Sequence, residues 1–121
     1  MSTPIGPYSP IVRSGDLLFT SGQLGVIPDA EGTPSLVGGG IALELAQALS
    51  NADALLVSEG VTRDDVVKAT IFVSDLSAFG EINEVWSAFF GSHRPARSTV
   101  GVAALPMGAA VEVEMVARVR D

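Results

Sequence analysis

Two hydrophobic periods coexist in this chain, and together they limit its fold more than any other feature. From Ile41, the residues Ile41, Leu45, Ala48, Leu49, Ala52, Leu55 and Leu56 recur at helical spacing, with Glu44, Gln47 and Asn51 assigned to other faces. Toward the C-terminus, Val111, Val113, Met115, Ala117 and Val119 instead alternate with Glu112, Glu114, Val116, Arg118 and Arg120. That is the period of a strand buried on one side only. A second helix is predicted after Asp75 or Ser77, either of which can cap it. Phe79, Ile82, Trp86, Phe89 and Phe90 share its apolar face, and Gly91 ends it.

The remaining segments read as strands and turns. Ile11-Val12-Arg13 leads to a turn at Ser14-Gly15-Asp16, and Leu17 to Leu24 follows as a strand. Residues 28–40 hold two prolines and several glycines and read as a loop. Val66 to Ser74 is a β-branched, buried strand, and two more are expected at 97–103 and 111–119. The order is β-β-α-β-α-β-β, an α+β layer with two helices on one face of a mixed sheet. The polar stripe of the last strand is balanced in charge, as befits a face that meets another subunit.

At 121 residues the chain accommodates one domain, residues 1–121, with a real core. Seven basic residues against fourteen acidic ones give a net charge of -7. The scattered cations supply no phosphate-neutralising stripe, so nucleic acid and anionic membranes are disfavoured partners. With no cysteine, disulfides, thiolate nucleophiles and Cys-ligated metals are excluded, and His93 alone cannot build a His-rich metal site. His93 lies in a polar loop and is expected to be exposed. The N-terminus has neither the basic start nor the apolar run of a secretory signal, and a cytoplasmic protein is expected.

Chemistry concentrates where charge enters the strands. Arg97 is flanked by small and β-branched residues, and Glu112 and Glu114 share one face of the last strand. Charges in such places are costly unless paired or used. Arg97 is either structural, paired with a nearby carboxylate or stacked at a subunit contact, or a fork for a substrate carboxylate. Glu112 is either a partner of Arg118 or Arg120, or a general base and water-positioner. If the last two strands formed a simple hairpin, Arg97 and Glu112 would lie roughly 17 Å apart. Either those strands are not neighbours, or the site joins two subunits. Tyr8 covers a sheet edge or lines a pocket, and Gly22 marks a bulge or a backbone N–H offered to a ligand.

Several motifs in order carry a resemblance. Gly6-Pro7-Tyr8-Ser9-Pro10, Phe19-Thr20-Ser21-Gly22-Gln23, the run from Val67 to Leu76, Phe79, Asn83 and Phe89-Phe90 belong to it. So do Pro95-Ala96-Arg97-Ser98, Leu105-Pro106 and Val111-Glu112-Val113-Glu114. Over almost its whole length the chain resembles the RidA/YjgF family of reactive-intermediate (enamine/imine) deaminases. The resemblance implies a chorismate-mutase-like (YjgF-like) fold whose last two strands are not sheet neighbours. It implies a homotrimer with a central barrel and active sites in the clefts between subunits.

By the same resemblance the activity is that of a 2-iminobutanoate/2-iminopropanoate-type deaminase, needing no metal or organic cofactor. Arg97 would bind the substrate carboxylate and Glu112 would position the attacking water. Tyr8 would line the pocket, with backbone at Gly22 and Thr99 holding the substrate. Many members carry a cysteine where Thr99 stands, which puts pocket polarity and substrate range in question. Alternative readings are a non-catalytic small-carboxylate-binding or regulatory trimer, and an endoribonuclease or translation inhibitor. The acidic balance argues against the last.

Overall fold

The computed structural model of the chain describes residues 6–27 and 32–120. Part of the expected extended N-terminus, residues 1–5, lies outside them, as do residues 28–31 of the expected loop. Strands β1 (Ile11–Ser14) and β2 (Leu17–Thr20) form an antiparallel pair around the turn at Gly15. Three two-residue strands follow, namely β3 (Gln23–Leu24), β4 (Val26–Ile27) and β5 (Ser35–Leu36). Helix α1 (Ile41–Ser58), β6 (Val66–Val73), α2 (Phe79–Phe90), β7 (Ala96–Gly101) and β8 (Val111–Arg118) complete the chain. The main sheet runs β1-β2-β8-β6-β7, with β3 also paired to β8. Only β6 and β7 are parallel. The two last strands are therefore not neighbours, because β6 lies between them.

Both helices cover one face, as the periodicities require. Leu45, Ala48, Leu49, Ala52 and Leu56 of α1 and Ile82, Trp86 and Phe90 of α2 are buried against Ile71, Val73, Val111, Val113, Met115 and Ala117. Each large apolar side chain in such a core contributes roughly 1.5–3 kcal/mol of transfer free energy. The alternation in β8 holds as read, with Val111, Val113, Met115 and Ala117 buried and the residues between them not. No helix among the described residues is long and apolar enough to cross a membrane.

Several sequence readings are corrected. The strand expected from Leu17 to Leu24 is broken, because the segment must absorb an extra residue. Phe19 pairs with Val116 and Gln23 with Val113, which is four steps on one strand against three on β8. The unmatched residue is a bulge at Ser21-Gly22, and there Thr20 Oγ1 accepts from the Met115 N–H at 3.0 Å in place of a backbone carbonyl. The 28–40 loop contains β5, which pairs with β4.

Glu44, assigned to a face other than the apolar one, is nevertheless buried, and its Oε1 accepts the Ala110 N–H at 3.0 Å. His93 is half-buried rather than exposed. Its Nε2 lies 2.7 Å from Val66 O, and its ring packs edge-on to Phe90. Asp75 does act as a cap, accepting from the Ser77 N–H, but of a single 3-10 turn (Leu76–Ala78) that leads into α2.

Candidate active site

Arg97 sits in β7, the edge strand, with its side chain on the helix face beside Ala69, its cross-strand partner. There it meets α2. Its Nη2 donates to Asn83 Oδ1 at 2.7 Å, and its Cζ lies 5.5 Å from the Phe79 ring and 5.4 Å from the Trp86 ring. This position of Phe79 departs from the sequence reading, since Phe79 is exposed and faces the guanidinium rather than the core. Removal from water lowers the Arg97 pKa. The ion pairs among the described residues join Arg63 to Asp53, Arg118 to Asp16 and Arg120 to Asp65. Within one chain, and among the described residues, they leave Arg97 without one.

The same edge offers backbone groups. The Val102 N–H donates to Val73 O at 2.9 Å, and Val73 is paired with Gly101. Alternation along β7 then turns the N–H and C=O of Arg97 and Thr99 away from β6, onto the free edge. The Thr99 hydroxyl is buried and has no hydrogen-bond partner among the described residues. What Thr99 presents outward is its backbone.

Glu112 belongs to the other face of the sheet. Its cross-strand partners are Leu24 of β3 and Phe72 of β6, and Phe72 has the opposite parity to Ala69. Burial, and secondarily the Glu114 charge, raise its pKa from the usual 4.5. Arg118 and Arg120, the partners considered for it, are engaged by Asp16 and Asp65 instead. Gly22 explains how the carboxyl fits. A Cβ on Gly22 would stand 2.6 Å from Glu112 Cδ and 2.7 Å from its Oε2, so the bulge leaves a bare backbone on which the carboxyl lies.

The Tyr8 segment is tied to the same bulge. The Ser21 N–H donates to Pro10 O at 2.8 Å, and Ser21 Oγ donates to Ser9 O at 2.7 Å. Tyr8 itself is exposed.

The predicted residues therefore form two half-sites. Arg97 and Thr99 lie at the β7 edge on the helix side, while Glu112, Gly22 and the Tyr8 segment gather on the open side. Within one chain the sheet separates them. Arg97 is also level with Ala69 and Glu112 with Phe72, a further offset of about 10 Å along the strands. Sequence reasoning assigned no role to Asn83 or Trp86 beside Arg97, although both lie on one face of α2 with Phe79. Among the described residues, no group of three or more His, Cys, Asp or Glu side chains is placed to hold a metal ion.

A mixed sheet layered on two helices defines a class of small α+β proteins that includes the YjgF gene product of E. coli. That structure matches with a TM-score of 0.89 and 38% identity over 98% of this chain and 93% of its own. The chain belongs to the RidA/YjgF family, whose model, described as Endoribonuclease L-PSP, matches residues 1–119. The 2-iminobutanoate/2-iminopropanoate deaminase of Dermatophagoides farinae is 44% identical over 113 residues, covering 93% of this chain and 86% of that protein. The crystal structure of E. coli TdcF with bound serine is 37% identical with a TM-score of 0.89, covering 99% of this chain and 93% of that one.

Proposed function

We propose that the protein hydrolyses 2-imino acids of the 2-iminobutanoate/2-iminopropanoate type to 2-keto acids and ammonia. The active site is a cleft in which the Arg97 half-site of one copy meets the Glu112 half-site of another, in a homotrimer whose open sheet faces line a central barrel. The observation that carries this is a guanidinium held at a free strand edge with no carboxylate partner among the described residues. Such a group suits a ligand carboxylate, which it binds through paired hydrogen bonds. Deaminase relatives, and a relative holding serine with its carboxylate, are consistent with that choice.

The chemistry follows from the two groups. Arg97 anchors the carboxylate and so aims the electrophilic imine carbon. Glu112 accepts a proton from water as the oxygen bonds to the carbon of the protonated imine, giving a neutral carbinolamine. Glu112 then passes that proton to the nitrogen, and the C–N bond breaks to release ammonia. The hydroxyl proton returns to Glu112 as the C–O bond becomes the double bond of the ketone. A carboxylate of raised pKa is a stronger base toward that water than an ordinary one. Tyr8 lines the pocket, and the outward N–H of Thr99 adds a donor for the carboxylate.

Ammonia release from enzymatically generated 2-iminobutanoate, with and without the protein, is the test. Acceleration is expected, abolished by Arg97→Ala. Glu112→Gln is expected to keep binding but slow turnover by about 100-fold or more. No acceleration over buffer would sink the enzyme reading. The unpaired Arg97 fits equally a non-catalytic carboxylate-binding trimer, which would show ligand-raised melting temperatures without turnover. A net charge of -7 supports one small anion over an RNA chain as the occupant of the site.

A further inference from the structure

Asn83 is the residue of α2 that hydrogen-bonds the arginine, through Oδ1 at 2.7 Å from Arg97 Nη2. Phe79 and Trp86, four residues before and three after it, lie on the same helix face. Their rings flank the guanidinium at 5.5 and 5.4 Å. All three neighbours attract a cation, and none carries a charge. A half-buried arginine ordinarily takes a carboxylate, and an aspartate at position 83 would accept the same hydrogen bond in the same geometry. The chain has fourteen acidic residues, and an amide stands at this position.

We propose that Asn83 is a positioning residue that fixes the Arg97 fork while leaving its charge uncompensated, reserving the guanidinium for the carboxylate of the ligand. The inference rests on the reading of Arg97 as the carboxylate clamp. A tethered carboxylate at position 83 would compete with the ligand at high effective concentration. Loss of the amide would instead free the guanidinium to wander while keeping its charge. The two substitutions therefore rank oppositely under the two possible roles. If Asn83 only supports the fold or the arginine rotamer, Asn83→Asp is the mild variant and Asn83→Ala the severe one. If it reserves charge, the order is reversed.

Calorimetric titration with 2-oxobutanoate, the keto acid of the proposed reaction, reads the clamp without turnover. Arg97→Ala is expected to abolish binding. Asn83→Asp is expected to weaken it about tenfold or more, and Asn83→Ala only about threefold. In the ammonia-release assay, the Asn83→Asp loss should appear in KM rather than kcat. Melting curves establish that each variant is folded, and position 83 is half-buried on a surface helix that accepts alanine. Binding by Asn83→Asp equal to wild type, or stronger than by Asn83→Ala, overturns the proposal while Arg97→Ala still fails to bind. Unchanged binding by Arg97→Ala would overturn the clamp reading itself.

Discussion

A carboxyl group half removed from water is hard to ionise, and Glu112 has Glu114 on the same strand face as well. Burial and then that neighbour's charge raise its pKa. Because the folded value exceeds the unfolded one, the stability tied to Glu112 is present below the unfolded pKa and is lost as pH rises through the folded pKa. Its use as a base runs the opposite way, gained over the same rise. Glu114→Gln removes only the coulombic contribution, so the acid limb of kcat/KM is expected to move to lower pH. A limb that stays in place or moves upward would contradict this assignment. Arg97 and Glu112 were both legible in the sequence, since charges among small and β-branched residues demand an explanation. The surroundings of Arg97 were not. Helical spacing put Phe79 on the face of Trp86, but only the docking of α2 beside β7 decides which ring meets the core and which the guanidinium.

Helices α1 and α2 were legible because each repeats its apolar spacing over several turns and α2 stops at Gly91, whose φ of 66° suits glycine. Strands of two residues carry no period, so β3, β4 and β5 could not be read that way. Their positions depend on α1. Asn51 Nδ2 donates to Leu24 O at 3.1 Å and to Val26 O at 2.9 Å, and Gly25 packs on the backbone of Glu44. A Cβ on Gly25 would stand 2.5 Å from Glu44 O. Main chain cannot yield as a flexible side chain does, so Gly25→Ala is expected to cost about 1–3 kcal/mol. A lowered midpoint in urea, with an unchanged slope, would check it. An unshifted midpoint would mean that α1 and this strand are not rigidly docked.

At the scale of the molecule, one sheet face is clothed by helices and the other is bare. Val12, Phe19 and Val116 stand in register across three strands of the bare face, and Val12 and Phe19 are exposed in the single chain. Lys68 reaches Ser98 on the same side at 2.9 Å. The proposed assembly would bury this face against other copies. The charge balance of the last strand's polar stripe is the sequence feature that raises that expectation. The sequence could not show that the two half-sites lie on opposite faces, because that depends on β6 entering between β7 and β8. The sharpest check is complementation. Arg97→Ala and Glu112→Gln chains, each impaired alone, are expected to regain activity when refolded together, since mixed assemblies contain clefts with both wild-type residues. Failure to regain activity in mixed assemblies would place the whole site inside one chain.

The division of the site by its own sheet also bears on when such a protein works. Under the proposed cleft between copies, a newly made chain would be fully folded, with Arg97 oriented and Glu112 seated on Gly22, and still catalyse nothing. Activity would then begin with encounter rather than with folding, and it would climb more steeply than the amount of protein made. Dilution alone would become an off state, and abundance itself a form of control.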